Sequence, residues 1–354
     1  MTSIDSISLK DIDDVKVSEV LKTTNDINSL NIEEIRKRIV ENCSTPRRGP
    51  LSRIFFLLTT LITTVAVLVF GVIGNLFQMI TAPLMLCNLL MVVRWHSYLA
   101  GFIWALMQNL FEVQSGIKFT ISGLENIPRK ENAYVIGNHA CFADFALVHA
   151  IAIRKGMLSF CKYFVKDSVK YIPIFGWGMK IMGMVMLKRD WNKDRAKFAS
   201  LFELFSGGKL PVYLVSYPEG SRITPSKLKR SHDYAEKNNL PRLKHLLLPR
   251  SKGFIATMLG LQTSDVHYLY DVTCTYYHEK NGLGSTWGFG EMFTSSLDGY
   301  HVHIHVDRIP FSALPKNEDE LKSWIFTRFQ QKDRIIDQIG SIFEQVYAVG
   351  PTKN

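Results

Sequence analysis

Two residues five positions apart, His139 and Asp144, are the pair with the clearest chemical use in the sequence. They follow the apolar run 133–137, whose composition predicts a β-strand. An aspartate bonded to one imidazole nitrogen leaves the other nitrogen free to act as a base near neutral pH. Residues five apart do not share a helix face, so the pair can meet only if His139 lies in the turn before a helix and Asp144 within its first turns. The alternative is an N-capping turn with a structural histidine.

A second polar cluster, at 217–222, also follows a predicted strand, at 212–217. Pro218 and Gly220 bend the chain there, and Arg222 offers a planar set of donors that suits a phosphate group. The alternative for this cluster is a surface loop with an ion pair.

The segment 166–190 is a third candidate. It begins at Lys166, continues through an apolar and methionine-rich stretch, and ends in basic residues that include Arg189. It could form a wall for an acyl chain with a basic group at its polar end, or it could simply be core.

A fourth segment, 246–254, contains Pro249 and Lys252 and closes a basic region. Residues 222–252 hold nine Lys or Arg against two acidic residues. Nucleic acid is one possible partner of such a region, but neither a recognition motif nor interleaved stacking aromatics accompany it. A phosphate-bearing lipid or CoA fits the region better, so no nucleic-acid partner is expected.

Two other patterns are given little weight. His301, His303 and His305 alternate and therefore face one side of a strand, where they rarely complete the tetrahedron that zinc requires. No metal site is predicted from them. The glycine-rich run 282–290 lacks the strand–glycine–helix context of a dinucleotide-binding loop.

Strands and helices alternate around these segments, which favours an α/β layer fold. Apolar or β-branched runs predict strands at 133–137, 212–217, 246–248, 271–277 and 301–306. Helices are predicted between them at 195–205 and 253–260, and a pair of amphipathic helices at 318–346.

Before this domain, residues 54–93 contain no acidic, basic or histidine side chain. A helix of that length would span about 60 Å, twice the hydrocarbon thickness of about 30 Å. The polar pair Asn75 and Gln78 marks a break, so we predict one membrane helix at 54–73 and a second or re-entrant one at 76–93. Arginines flank both ends of the run. If both segments cross, those flanks share a side, and their charge favours the cytoplasm. The alternative is a buried pair of core helices.

Composition sets the remaining limits. The 354 residues are 47% apolar with a net charge of +10, which excludes wholesale disorder and favours anionic partners. Five scattered cysteines argue against a disulfide framework or a zinc ribbon and for a reducing compartment. Residues 1–46 are polar and are predicted to be a disordered tail with one short helix at 31–41. A cleaved signal peptide is not expected, because the apolar stretch begins only near Leu51.

The four segments, in this order, resemble the blocks of the glycerolipid acyltransferase family. Their counterparts here are NHACFAD at 138–144, the stretch ending at Lys188 and Arg189, YPEGSR at 217–222, and LLLPRSKGF at 246–254. Further segments resemble the eukaryotic group of 1-acylglycerol-3-phosphate, lysocardiolipin and lysophosphatidylinositol acyltransferases. They are KDSVKYIPIFGWGM, YDVTCTYY, HVHIHVDRIP and the tail with Trp324, Lys332 and Asp333. The resemblance covers about residues 50–340, with departures at Phe145, Tyr217, Ser221 and Asp307.

The resemblance implies a single α/β catalytic domain, with a central sheet flanked by helices, behind an N-terminal two-helix membrane anchor. The expected organisation is a polar tail at 1–46, a membrane helix pair with a juxtamembrane segment at 47–112, an acyltransferase domain at 113–315 and a C-terminal helical segment at 316–354. The family also implies phospholipid biosynthesis or remodelling at the endoplasmic reticulum membrane.

The implied reaction transfers a fatty acyl group from acyl-CoA, as co-substrate, to a free glycerol hydroxyl of a lysophospholipid, with lysophosphatidic acid or lysophosphatidylinositol as expected acceptors. Asp144 would orient His139 as general base, and no cofactor is required. The substrate-binding candidates are Asn138, Glu219, Gly220, Ser221, Arg222, Arg189, Lys166, Pro249 and Lys252. A hydrolase would normally show an activated serine motif, which is missing from this sequence. A non-catalytic, membrane-anchored lipid-binding protein is the alternative function.

Overall fold

The computed structural model of the chain describes residues 31–43, 49–172, 176–188, 194, 202, 205–288, 291 and 297–348. The strands are β1 Lys118–Ser122, β2 Ala133–Gly137, β3 Cys161–Lys166, β4 Val185–Leu187, β5 Tyr213–Ser216, β6 Tyr268–His278, β7 Gly282–Leu283 and β8 Tyr300–Pro310. The α-helices are α1 Ile32–Cys43, α2 Pro50–Thr81, α3 Met85–Asn109, α4 Asp144–Lys155, α5 Gly176–Ile181, α6 Pro225–Lys237, α7 Ser251–Leu261 and α8 Glu318–Ala348.

The described strands form one sheet in the order β1-β8-β6-β2-β5-β3-β4, and β7 pairs with β6 outside this path. Neighbours are parallel except that β6 runs antiparallel to β8 and to β7. Because β2 and β5 are parallel neighbours, their carboxyl ends meet at the same edge of the sheet. The segments 138–144 and 217–222 follow those two ends, so the sheet brings the first two predicted clusters together.

Helices cover both faces of the sheet, which explains why its central parallel strands are apolar on both sides. Along β2, Tyr134 and Ile136 point to one face and Val135 to the other, as the two-residue period of a strand requires. Val135 packs with α4, whereas Tyr134 and Ile136 pack with α7 and α8. The predicted α/β class, with a central sheet flanked by helices, is confirmed.

Buried charges hold the C-terminal helix α8 on the sheet. Arg328 pairs with Asp271 of β6 and Asp307 of β8, and Lys332 Nζ lies 2.5 Å from Asp271 Oδ1. Removal of one partner from such a buried pair costs about 3–5 kcal/mol, because the remaining charge loses its compensation. The position of α8 relative to the sheet is therefore firmly determined.

Four of the five predicted strands are confirmed, at 133–137, 212–217, 271–277 and 301–306. The fifth, at 246–248, is not a strand, because the Leu247 amide bonds to the side chain of Glu219 rather than to a neighbouring strand. The sequence patterns did not identify β1, β3, β4 and β7.

Among the helices, the predicted segments 31–41 and 253–260 correspond to α1 and α7. The prediction of two C-terminal helices at 318–346 was wrong, since α8 is a single helix of 31 residues. Of the predicted helix at 195–205, nearly all lies outside the described residues.

The apolar segment forms an antiparallel helical hairpin of α2 and α3. The Phe70 and Phe102 rings meet at 5.4 Å, and the Phe77 and His96 rings at 6.1 Å. The chain turns back at Asn88, whose φ of −151° and ψ of 89° are not helical, and therefore not at the predicted break near residues 74–78. The break was misplaced because Gln78 is a buried side chain that faces α5 instead of marking a turn.

The hairpin lies along the α/β domain over its length. Near the turn, the Arg94 guanidinium donates a hydrogen bond of 2.8 Å to the Lys209 carbonyl. Near the opposite end, Gln108 Nε2 donates one of 2.9 Å to the Ala146 carbonyl. Arg94 therefore lies at the other end of the hairpin from residue 50, which contradicts the predicted placement of both basic flanks on one side.

The outer surface of the hairpin is apolar and exposed. Ile62 is 67% exposed, Ile80 is 77% exposed and Leu86 is 94% exposed. The helical run Ile54–Gln114 is long and apolar enough, by length and composition, to cross a membrane. A buried core helix pair, the alternative considered for this segment, is excluded by this exposure.

Candidate active site

His139 and Asp144 form a hydrogen-bonded pair at the carboxyl end of β2. His139 follows the strand, Asp144 is the first residue of α4, and Nδ1 and Oδ2 lie 2.6 Å apart. Asp144 is 2% exposed, whereas the His139 side chain is 23% exposed and lines a cavity. His139 Nε2 has no hydrogen-bond partner among the described residues. The pair therefore has the arrangement of an oriented base, as the five-residue spacing predicted.

Asp144 is fixed by donors on its other side. The Cys141 amide lies 3.2 Å from both carboxylate oxygens, and the Tyr276 hydroxyl donates a hydrogen bond to Oδ1. Burial raises the pKa of Tyr276 well above its ordinary value, so its hydroxyl remains a donor. These donors fix the plane of the Asp144 carboxylate toward His139.

The imidazole of His139 also packs against the ring of Tyr217, with centroids 4.6 Å apart and an angle of 18° between the planes. Tyr217 lies close over Gly137, where a Cβ atom would be 3.0 Å from Tyr217 Cε1. The absence of a side chain at Gly137 thus lets the tyrosine from the end of β5 reach the histidine.

Asn138 was predicted to bind substrate, but its amide is used within the protein. Nδ2 donates a hydrogen bond of 3.0 Å to the Cys274 carbonyl, and Oδ1 accepts one of 2.7 Å from the Cys274 amide. The side chain thereby continues the pairing of β2 with β6 beyond Gly137 and Val272. Both polar atoms of the Asn138 side chain are therefore bonded to the backbone of β6, and the substrate contact stays a prediction.

Glu219 likewise acts inside the protein. It is 2% exposed, and its two carboxylate oxygens accept hydrogen bonds of 2.7 Å from the His139 amide and 2.9 Å from the Leu247 amide. Burial raises the pKa of Glu219 to about 8, although these two amides oppose the shift. One carboxyl group thus joins three segments of the chain around His139, and a contact of Glu219 with substrate stays a prediction.

Gly220 allows a close approach of Arg250 to the segment behind His139. Its φ is +71°, and a Cβ atom there would lie 2.9 Å from Arg250 Cδ. The Gly220 amide closes a turn onto the Tyr217 carbonyl at 2.9 Å. This turn places Arg250, a residue that was not among the predicted candidates, beside the segment that carries the Glu219 carboxylate.

A cavity of about 800 Å³ opens at His139. Of the predicted substrate-binding residues, those that line it are Lys166, Glu219, Gly220, Ser221, Pro249 and Lys252. Arg222 is exposed and does not line it, and Arg189 lies outside the described residues.

Four basic residues on the wall were not singled out from the sequence, namely Lys227, Arg230, Arg250 and Lys322. The first three belong to the basic region at 222–252, so the composition had identified the region but not its members. Nothing in the sequence pattern points to Lys322, because α8 is remote from that region along the chain.

The three alternating histidines of β8 are engaged by hydroxyl groups. His303 Nδ1 lies 2.7 Å from Thr120 Oγ1, and His303 Nε2 lies 2.9 Å from Ser122 Oγ. Ser122 Oγ also lies 2.8 Å from His305 Nδ1. Burial lowers the pKa of His303 to about 3, which keeps the ring neutral. Within the described residues, no group of three or more His, Cys, Asp or Glu could hold a metal ion.

Two protein-family models match parts of the chain that contain the site. A family model described as Acyltransferase matches residues 118–276, and one described as Acyltransferase C-terminus matches residues 296–339. The former range contains the His139–Asp144 pair, and the latter contains the first part of α8.

Three relatives illustrate the similarity. The chain is 30% identical over 246 residues to the probable 1-acyl-sn-glycerol-3-phosphate acyltransferase 5 of Arabidopsis thaliana, covering 69% of this chain and 63% of that protein. It is 28% identical over 253 residues to lysocardiolipin acyltransferase 1 of Mus musculus, covering 71% and 65%. It is 31% identical over 271 residues to 1-acyl-sn-glycerol-3-phosphate acyltransferase delta of Homo sapiens, covering 74% and 68%. The first two matches thus span just under two thirds of those relatives.

Proposed function

Since this chain belongs to the glycerolipid acyltransferase family, we propose that it transfers a fatty acyl group from acyl-CoA to a free glycerol hydroxyl of a lysophospholipid. The observation that carries the proposal is the His139–Asp144 pair, whose free Nε2 faces a cavity lined by basic side chains. A base next to a basic cavity suits a neutral hydroxyl on a phosphate-bearing acceptor. Lysophosphatidic acid and lysophosphatidylinositol both have that chemistry.

The proposed reaction needs no covalent enzyme intermediate. Asp144 accepts a hydrogen bond from the Nδ1–H group of His139, so the lone pair of the neutral ring lies on Nε2 and removes the proton of the glycerol hydroxyl. The hydroxyl oxygen attacks the thioester carbon, the carbon–sulfur bond breaks, and the departing sulfur takes the proton from the imidazolium. General-base catalysis of this kind contributes about 10²–10⁴ in rate, and correct placement of the two substrates supplies much of the rest.

The acceptor phosphate is assigned to Arg250 and Lys252 at the start of α7. Both line the cavity, and the Arg250 side chain packs on Gly220 beside the segment that holds the base. An arginine fork and an ammonium group can neutralise a phosphate close to the reacting hydroxyl. These two residues replace Arg222 as the proposed phosphate ligands, because Arg222 is exposed outside the cavity.

We further propose that the hairpin attaches the protein to a bilayer without crossing it. Its outer face is apolar and exposed, while both its turn and its opposite end are bonded to the α/β domain. A turn that is bonded to a water-facing domain does not lie on the far side of a membrane from that domain. The endoplasmic reticulum, with the α/β domain on the cytoplasmic side, remains a prediction from the family.

The test is an acyl-transfer assay on the purified full chain in detergent, with labelled acyl-CoA and a panel of lysophospholipids. We expect transfer to at least one acceptor, and a loss of about 10²–10⁴ in His139→Ala. The matched control is His245→Ala, because His245 is also 23% exposed and bonds to Asp337 at 2.7 Å. If folded protein binds lipid but transfers no acyl group, the lipid-binding alternative replaces this proposal.

A further inference from the structure

Two helices build the outer wall of the cavity. From α6, Arg230 and Tyr234 line the cavity, with Lys227 one turn earlier on the same helix face. From α8, Lys322 and Phe326 line it. Each helix therefore presents a cation and an aromatic ring four residues apart, which places them one above the other on its surface.

The two cations of this wall are accessible to a ligand. Arg230 and Lys322 are exposed, and within the described part of the chain neither takes part in an ion pair. The Glu219 carboxylate, one of two acidic groups that line the cavity, is already bonded to two backbone amides. The outer wall is thus a positively charged surface with two rings, next to a cavity large enough for a ligand.

The helix α8 does not depend on this wall for its position. The pairs of Arg328 with Asp271 and Asp307, together with Lys332, fix α8 on the sheet. Lys322 and Phe326 therefore line the cavity from a helix that other residues hold in place. Their replacement should leave the position of α8 unchanged.

The acyl donor and the acyl acceptor differ in the chemistry that such a wall recognises. Aromatic side chains stack on a nucleotide base, and cations bind its phosphates. A lysophospholipid has a phosphate close to its reacting hydroxyl and no planar base. In acyl-CoA the base and its phosphates are separated from the thioester by the pantetheine arm, so they must bind away from His139.

We propose that the outer wall, defined by Arg230, Tyr234, Lys322 and Phe326, binds the phosphoadenosine end of the acyl-CoA donor. The assignment rests on the proposed function and specifies which part of the cavity takes which substrate. The donor thioester then extends from the outer wall toward His139, while the acceptor phosphate occupies the region of Arg250.

The experiment compares Arg230→Gln and Lys322→Gln with the unchanged full chain in the acyl-transfer assay. We expect the KM for acyl-CoA to rise about tenfold in each variant, as for the loss of a hydrogen bond to a charged group, with the KM for the lysophospholipid unchanged. Adenosine 3′,5′-bisphosphate should compete with acyl-CoA, and about tenfold less well in both variants. Lys229→Gln, an exposed residue of α6 that does not line the cavity, is the matched control.

An unchanged KM for acyl-CoA in both variants overturns the assignment, and so does a rise in the KM for the acceptor alone. Calorimetric titration with adenosine 3′,5′-bisphosphate alone tests the outer wall independently of acyl transfer. Binding that both variants weaken supports the wall even if no acceptor is found. Absence of binding to the unchanged chain refutes it even if the protein proves to be an acyltransferase.

Discussion

Tyr276 donates its hydroxyl hydrogen bond to Asp144 Oδ1, while Oδ2 of the same carboxylate bonds to His139. The tyrosine lies on β6 and is 132 residues from Asp144 along the chain. Its side chain is 3% exposed, so water does not readily replace it as a donor. Tyr276 is therefore placed to orient His139 through the aspartate.

Replacement of this hydroxyl should slow the chemical step without weakening substrate binding. In Tyr276→Phe, the carboxylate loses one donor, so it holds the imidazole of His139 less firmly in place. We expect kcat to fall about tenfold, as for the loss of a hydrogen bond to a charged group, with the KM for each substrate unchanged. The measurement is kcat and the KM for each substrate.

The neighbouring Tyr277→Phe serves as the control, because Tyr277 stacks on Phe343 in a different hydrophobic cluster from Tyr276. Tyr276→Phe enzyme with the kcat of the unchanged protein would exclude a role for this hydrogen bond in positioning His139.

Glu219 should make stability depend on pH. Its folded pKa of about 8 lies above the ordinary value of 4.5, so the folded protein binds the proton more tightly than the unfolded chain does. The contribution of Glu219 to the free energy of unfolding is therefore fully present below pH 4.5, and it is lost as pH rises toward 8. We expect the Tm of the unchanged protein to fall over this interval relative to that of Glu219→Gln, which does not titrate there.

The Glu219→Gln variant also tests the two hydrogen bonds that the Glu219 carboxyl group accepts. A glutamine amide offers one acceptor oxygen, so either the His139 or the Leu247 amide loses its partner, at a cost of about 1–3 kcal/mol. Thermal unfolding followed by circular dichroism measures both effects. Curves of Tm against pH that stay parallel for the two proteins would show that the carboxyl group does not titrate in this interval.

Gly220→Ala should affect binding as well as stability. A residue other than glycine at positive φ costs about 1–2 kcal/mol, and the new Cβ would also displace Arg250. We expect the KM for the lysophospholipid to rise, with the KM for acyl-CoA less affected. Gly207→Ala is the matched control, since Gly207 has a φ of +68° and a Cβ atom added there would have no neighbour within 4 Å. Equal effects of both changes on the KM would refute a role of Arg250 in acceptor binding.

Ile62→Asp should weaken attachment to lipid. Ile62 lies on the exposed face of α2, and burial of an isoleucine side chain in an apolar phase contributes about 1.5–3 kcal/mol. Flotation with phospholipid vesicles measures the bound fraction, from which we expect an affinity at least about tenfold lower. Ser323→Asp adds the same charge on α8 as a control. Undiminished flotation of the Ile62 variant would mean that this face does not enter the bilayer.

The sequence allowed the pairing of His139 with Asp144 to be predicted because the two residues lie in one short segment after a clearly apolar strand. It did not indicate Tyr276 or Lys322, since only the folded sheet brings those residues to the site. The strands β1 and β3 were missed because lysines interrupt the apolar runs, one in β1 and two in β3. Single-sequence patterns record local periodicity, whereas these features depend on contacts between remote segments.

The roles of polar residues were harder to predict than their positions. Asn138 and Glu219 were correctly located beside the base, but both satisfy backbone groups of other segments. Asn75 and Gln78 were taken to mark a turn, and yet they lie within α2 and face Gly178 of α5. A polar residue type does not reveal whether its partner is a ligand, solvent or the chain itself.

The attachment of both ends of the hairpin to one domain has a consequence for membrane growth. Under the proposed function and attachment, the protein would draw its acceptor from the leaflet that it contacts and return the acylated product to the same leaflet. Continued synthesis would enlarge that monolayer at the expense of its counterpart, because phospholipid headgroups do not pass readily through hydrocarbon. Balanced expansion of the bilayer would then require a separate process that moves lipid from one leaflet to the other.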